Sequence, residues 1–199
     1  MVSAADPVGP YLPWGVHLAY GADGRTSMSV MWSTRSDPGA PSEAVVAVAA
    51  SGAAVAHFAA TSKVFTDSGN TQSLHNTTMT GLAPGTAYSY TVGSTNGNVS
   101  GSFTFRTQPA AADGAWDGGR AYPVLAIYGD MGVGTNAHKT LPLLAADAAA
   151  GRFDVALHVG DVAYDIQSNN GGNGDAFVVN TQAYAATHPV HLCPGNHGE

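Results

Sequence analysis

Three short apolar runs, Val124 to Tyr128, Val155 to Val159 and Val190 to Cys193, each end within two residues on a glycine followed by an oxygen-bearing side chain: Gly129-Asp130, Gly160-Asp161 and Gly195-Asn196. Successive motifs stand a little over the roughly 30 residues apart that one strand–helix–strand unit occupies. The stretches between them, Leu141 to Ala150 and Phe177 to Ala186, carry helical patterning, and Gly151 stands where a helix C-terminal glycine belongs. Few topologies satisfy this combination. It predicts buried parallel strands joined by helices, with the three motifs at equivalent positions on the carboxyl edge of one sheet.

Upstream the period is different. Met28, Val30 and Trp32 alternate with serines, Tyr88, Tyr90 and Val92 with Ala87, Ser89 and Thr91, and Phe103 and Phe105 with Ser102, Thr104 and Arg106. Period-two alternation is the mark of half-buried antiparallel strands. Turn-forming stretches at Gly21 to Gly24, Asp37 to Pro41, Gly69-Asn70 and Thr95 to Asn98 recur at the intervals of a sandwich. Leu82 to Tyr88 resembles the tyrosine corner of fibronectin type III-like sandwiches, in which the tyrosine hydroxyl bonds upstream backbone. Pro109 to Arg120, rich in Ala, Gly and Asp without periodicity, reads as a linker. The expected organisation is therefore a β-sandwich over 14–108, a linker over 109–121 and a βαβαβ segment over 122–199.

Composition narrows the function classes. The 199 residues are 44% hydrophobic, as in a folded soluble protein. Seven Lys and Arg against 14 Asp and Glu give a formal charge of -7, without the basic footprint that nucleic acid or an anionic membrane requires. Neither partner is expected. No apolar stretch approaches bilayer-spanning length, and Met1 to Pro13 carry no signal-peptide pattern. The single Cys193 excludes an internal disulfide framework and is expected to be a buried, inert thiol. Two sequons, Asn76-Thr77-Thr78 and Asn98-Val99-Ser100, are glycan acceptors only if the chain enters the secretory path.

The chemistry-bearing residues are hard oxygen donors: the carboxylates of Asp130 and Asp161, the phenol of Tyr164 and the amide of Asn196. One Gly-Asp after a strand is usually a turn or a helix cap; three in register point instead to a cation site. Two cations held about 3.5–4 Å apart would share Asp161, clamp phosphate oxygens and acidify a water. A trivalent iron suits the phenol, because its charge draws off the phenolic proton near neutral pH.

In their order and spacing, Gly129-Asp130-Met131-Gly132, Gly160-Asp161-Val162-Ala163-Tyr164 and Gly195-Asn196-His197 resemble the first three of five motifs of the purple acid phosphatases. Broader metallophosphoesterases carry Asp-x-His in the first motif, where this chain has Gly132 and offers Tyr164 instead. The upstream segment, with Thr26 to Trp32, His75, Leu82 to Tyr88 and Phe103 to Phe105, resembles the same family's N-terminal domain. The fold the resemblance implies is a fibronectin type III-like sandwich followed by the first βαβαβ part of a calcineurin-like metallophosphoesterase domain. It further implies that Asp130, Asp161 and Tyr164 bind ferric iron, that Asp161 and Asn196 bind a divalent iron, zinc or manganese ion, and that His197 contacts the phosphate and helps protonate the leaving alcohol.

Two departures from the family pattern stand out. Gly198 separates His197 from Glu199, where the family has an acid directly after the histidine, and the three histidine ligands of the fourth and fifth motifs have no counterpart. His158 alternates away from Asp161 and reads as core, and His188, His191, His138, His17, His57 and His75 do not replace the missing ligands. The expectation is an incomplete acid phosphatase of the dinuclear type, its parent hydrolysing phosphate monoesters by a metal-bound hydroxide and the present chain impaired alone, with an open apolar sheet face and edge. Family resemblance implies a secreted or vacuolar/lysosomal setting. The alternatives are a binding or adhesion module bearing an enzyme remnant, and a metallophosphodiesterase; oligomeric state is left open.

Overall fold

The period-two stretches fold as eight antiparallel strands, in a computed structural model that describes residues 9–67, 70–110, 115–116 and 119–197. The expected turn residue Gly69, linker residues 111–114 and 117–118, and Gly198 and Glu199 lie outside the described residues. In chain order the strands are β1 (Trp14–Tyr20), β2 (Ser27–Thr34), β3 (Ser42–Val48), β4 (Ala54–Ala59), β5 (Thr61–Asp67), β6 (Asn70–Thr80), β7 (Ala87–Ser94) and β8 (Phe103–Arg106). They form two four-stranded sheets, ordered β1-β2-β6-β5 and β4-β3-β7-β8. Met28, Val30 and Trp32 of β2 face Tyr88, Tyr90 and Val92 of β7 across a core that also holds Leu18, Val46, Met79 and Phe105. Each such side chain, fully buried, contributes about 1.5–3 kcal/mol of transfer free energy.

The tyrosine corner is present: the Ala83 N–H donates to the Tyr88 hydroxyl at 2.8 Å. His75 lies buried under Trp32, ring centroids 5.3 Å apart. It bridges Thr34 Oγ1 at 2.9 Å and Ser62 Oγ at 2.8 Å, which satisfies both ring nitrogens inside the sandwich.

Beyond the linker, β9 (Leu125–Tyr128), β10 (Val155–Val159) and β11 (Val190–Cys193) form a parallel sheet in the order β11-β10-β9. The crossovers are α1 (Ala137–Ala149) and α2 (Gly172–Ala185). Register aligns Tyr128, His158 and Leu192 across the sheet. The helices bury Ala156, Phe153, Phe177 and Tyr184 on one face. The opposite face is open, with Leu125, Val159 and Ile127 exposed, Ile127 to 62%. Cys193 is exposed rather than buried, because β11 is an edge strand on that uncovered side.

Both helices begin earlier than their sequence pattern predicts. α1 starts four residues before the expected Leu141, and Pro142 inside it withholds the N–H that the His138 carbonyl would otherwise accept. It ends as expected: Gly151 adopts φ 63°, its N–H donates to Ala148 O, and the Arg152 N–H donates to Asp147 O. α2 starts at Gly172 rather than Phe177. Its Gly-Asn-Gly-Asp opening has poor helix propensity, and cross-sheet hydrogen bonds to Asp175 supply what propensity does not.

The sandwich and the parallel sheet meet through α2, which packs on β1. Gln182 Oε1 accepts the Val16 N–H at 2.8 Å, and the Tyr90 hydroxyl donates to Ala186 O at 2.7 Å. Beside this junction runs an apolar cleft of about 630 Å³ lined by Trp14, Met31, Phe65, Ile166, Phe177 and Leu192. Among the described residues no helix is long and apolar enough to cross a membrane.

Candidate metal centre

A strand that ends on glycine releases the next side chain at the sheet rim, and β10 is the central strand, so Asp161 stands between the ends of β9 and β11. The Asp130 N–H donates to Gly160 O at 3.0 Å, which draws the first motif against the second. The third closes from the other side, with the His197 N–H donating to Asp161 Oδ1 at 2.9 Å. Gly195 permits that approach: a Cβ there would collide with the backbone nitrogen and Oδ1 of Asp161. Asp130, Asp161 and Tyr164 all adopt left-handed backbone conformations, φ 53°, 44° and 49°. Non-glycine residues hold such conformations only when their surroundings over-determine them.

Gly132 and Tyr164 are sterically complementary. A Cβ on Gly132 would lie 3.0 Å from Tyr164 Cδ2, so the ring occupies the volume that a side chain at 132 would need. The Tyr164 phenol is pushed above its ordinary value, first by partial desolvation and then by the carboxylates of Asp130 and Asp161. Both carboxylates thus disfavour the phenolate. A cation held among them would reverse the sign of that effect and favour phenolate.

His158 reports on the same field from below. Burial lowers its pKa, while Asp130 and Asp161 oppose that shift. The ring is packed edge-on between Tyr128, at 5.0 Å, and Phe177, at 5.6 Å, and neither nitrogen has a hydrogen-bond partner. It is a core residue beneath the rim, in keeping with its alternation away from Asp161.

His197 is half-exposed, its ring 5.1 Å from that of Tyr164 and its Nδ1 3.3 Å from Asp165 Oδ1. The Asp165 N–H donates in turn to His197 O at 3.1 Å. Asp165 thus joins the site although the sequence pattern did not single it out. Its only local signal is adjacency to Tyr164.

A cleft of about 550 Å³ opens beside these groups, lined by Asp130, Gly132, Asn136, Tyr164 and Asn173 among others. Asp161, Asn196 and His197 lie outside that lining; His197 adjoins it through its ring contact with Tyr164 and donates its N–H to Asp161. The remaining histidines are elsewhere: His188 packs on Phe153 at 4.9 Å, His191 lies 5.8 Å from Tyr20, and His138 is on α1. Among the described residues no three His, Cys, Asp or Glu side chains gather as a metal-binding group. The donors at this rim are two carboxylates and a phenol, with an amide on the loop after β11. Those donors, the opposed negative charge and the cleared ring position at Gly132 fit a hard, highly charged cation.

Comparison with known proteins shows what the chain is similar to. Residues 13–107 match the family model for the purple acid phosphatase N-terminal domain. The chain is 35% identical over 188 residues to acid phosphatase type 7 of Mus musculus and 36% identical over 192 residues to that of Homo sapiens, covering 93% and 94% of this chain. It spans 40% of the length of each of these two relatives. Among solved structures, a purple acid phosphatase from yellow lupin (Lupinus luteus) seeds superposes with a TM-score of 0.76 at 21% identity, covering 96% of this chain and 36% of the lupin chain. That superposition speaks to the fold.

Proposed function

The chain belongs to the purple acid phosphatase family, of whose relatives it spans the N-terminal part, and on that premise we propose that it contributes to the hydrolysis of phosphate monoesters. The proposed division is 14–108 for the sandwich, 109–121 for the linker and 122–199 for the start of the catalytic domain. Asp130, Asp161, Tyr164 and Asn196 would hold part of a dinuclear centre of ferric iron and a divalent iron, zinc or manganese ion. When bound, such a centre supplies Lewis-acid activation of the phosphate ester and of water.

The chain's own residues account for the remaining tasks. Asp161, two residues past the end of the central strand, would help to hold both cations, because the loops after both neighbouring strands bond to its turn, at Gly160 O and at its own carboxylate. Tyr164 would supply a charged oxygen to the more highly charged ion, its ring seated against Gly132. His197, oriented at Nδ1 by Asp165, would keep Nε2 for a proton to be passed to the leaving alcohol and would contact the phosphate. The observation that carries this reading is the convergence of Asp130, Asp161 and Tyr164, whose carboxylates both bear on the phenol while Gly132 leaves room for its ring.

The proposed setting is export, secreted or vacuolar/lysosomal, with Asn76 and Asn98 as candidate glycan acceptors; Asn76 is exposed on β6.

The test is titration of the full chain with ferric iron and zinc, followed by visible absorption and turnover of a chromogenic phosphate monoester. Wild type is expected to develop a violet phenolate-to-iron band that Tyr164→Phe abolishes, and Asp161→Asn should take up neither ion. Uptake by Asp161→Asn equal to wild type would remove the metal reading, as a colourless ferric complex would remove Tyr164 from it.

A further inference from the structure

Asp175 is a buried carboxylate, 6% exposed, in the first turn of α2, and the chemistry at the rim does not use it. Among the described residues, the hydrogen-bond partners of its carboxylate come from the sandwich. Arg35 Nη1 donates to Oδ2 at 2.8 Å, Asn70 Nδ2 to Oδ2 at 3.2 Å and Gln72 Nε2 to Oδ1 at 3.3 Å. Arg35 is itself held over the Trp14 ring, 4.7 Å from its centroid. A carboxylate at a helix N-terminus is favourable in water as well, so the helix alone gives no reason to bury it. Burial against three donors from another sheet makes this turn a point of attachment.

The same turn holds Tyr164. Asn173, two residues before Asp175, donates through Nδ2 to Tyr164 O at 3.1 Å and accepts from Asn169 Nδ2 at 2.8 Å. The Gly174 N–H donates to Ile166 O at 3.2 Å and the Asp175 N–H to Gly171 O at 3.1 Å. The loop so tied is strained: Tyr164, Asp165, Asn169 and Asn170 have φ of 49°, 62°, 56° and 56°. Asp and Asn tolerate that region, but the bulky Tyr164 holds it only where its surroundings over-determine its backbone. Asp161 has a tie of its own besides, its carboxylate accepting the His197 N–H, and His197 is bonded in turn to Asp165.

We propose that Arg35, Asn70 and Gln72 of the sandwich are positioning residues for Tyr164: by clamping Asp175 they fix the first turn of α2, and through Asn173 that turn fixes the backbone from which the phenol projects. The sandwich thereby becomes part of the metal site's support rather than a separate module. The identity of the bound ion rests on the function proposed above, whereas the mechanical coupling does not.

The experiment compares the full wild-type chain with Arg35→Ala, Arg35→Lys, Asn70→Ala and Asp175→Ala in two measurements. The first is amide hydrogen exchange on the metal-free chain. Faster exchange confined to residues 164–175 in Arg35→Ala, Asn70→Ala and Asp175→Ala, with Arg35→Lys closer to wild type, is the expected result. The second is titration with ferric iron and, separately, with zinc. Loss of a positioning contact behind a ligand should weaken ferric binding roughly tenfold and diminish the violet band. Zinc binding through the carboxylates should change less than the ferric affinity. Asn70→Ala, which leaves the ion pair in place, keeps the test readable if the charged variants fail to fold.

Unchanged exchange over 164–175 in Asn70→Ala and Arg35→Ala overturns the proposal, as does accelerated exchange spread evenly over both sheets, or equal loss of ferric iron and zinc. If wild type binds no ferric iron while local exchange still rises, the coupling stands and the metal assignment falls.

Discussion

Replacing Gly132 with alanine tests the pairing between the first and second motifs more directly than removing a ligand. Two costs follow from the structure. Gly132 has φ 59°, and holding a residue with a Cβ there costs about 1–2 kcal/mol. At 3.0 Å from Tyr164 Cδ2, the new methyl also lies closer than ordinary van der Waals contact, so the ring must yield by a few tenths of an ångström. Gly134, in the same loop, provides the control, because a Cβ there meets nothing within 4 Å and its backbone is not left-handed. In a chain of this size the strain should lower the melting temperature by roughly 2–8 °C. The displaced phenol should weaken ferric binding roughly tenfold. Differential scanning calorimetry and ferric titration followed at the violet band measure the two effects separately, and Gly134→Ala should match wild type in both. If Gly132→Ala melts and binds like Gly134→Ala, neither the steric complementarity nor the role of Tyr164 built on it survives.

Further outcomes follow from the sandwich and its junctions. Tyr88→Phe leaves the Ala83 N–H without its acceptor and should cost about 1 kcal/mol in urea unfolding, with an unchanged slope. Asp154→Ala should cost about 1.5–3 kcal/mol in the same assay. It removes the acceptor of two Arg120 hydrogen bonds, at 2.7 and 2.9 Å, and of the Val124 N–H that leads into β9. His75 governs a pH dependence. Burial depresses its pKa below the ordinary 6.5, partly offset by Asp37, so below pH 6.5 the unfolded chain binds more protons than the folded one. Stability is therefore full above that value and falls as the solution is acidified through the depressed folded pKa. Unfolding measured between about pH 7 and 5 should show this slope, and His75→Gln should flatten it; an equal slope in the variant would assign the acid sensitivity to other groups, His17 among them.

Local pattern carried most of the architecture. Alternation in β2 and β7 is a consequence of side chains on successive residues pointing to opposite faces, so it identifies the strands and their buried face at once. The Leu82 to Tyr88 corner is legible because its hydrogen bond spans five residues, within a single turn. The placement of Asp130, Asp161 and Asn196 just past the carboxyl ends of three parallel strands was legible for a related reason: with the strands in register, regular spacing sets the residue after each terminal glycine at the same end of the sheet. The openings of α1 and α2 were not legible. Pro142 and the Gly-Asn-Gly-Asp segment argue locally against helix, and packing outweighed them.

The amino-acid sequence by itself determined the two kinds of layer, the order of the strands along the chain, and the donor atoms available at the carboxyl edge, because each depends on periodicity or on residues within a few positions of one another. Only the tertiary structure decided which groups meet: Asp165 with His197 across 32 residues, and Asp175 with Arg35 across 140. It also decided that Tyr164 fills the volume left by Gly132 and that Cys193 faces outward. Contacts of that kind depend on how one layer is set against another, a free-energy balance over the whole packed interface that no local stretch of residues contains.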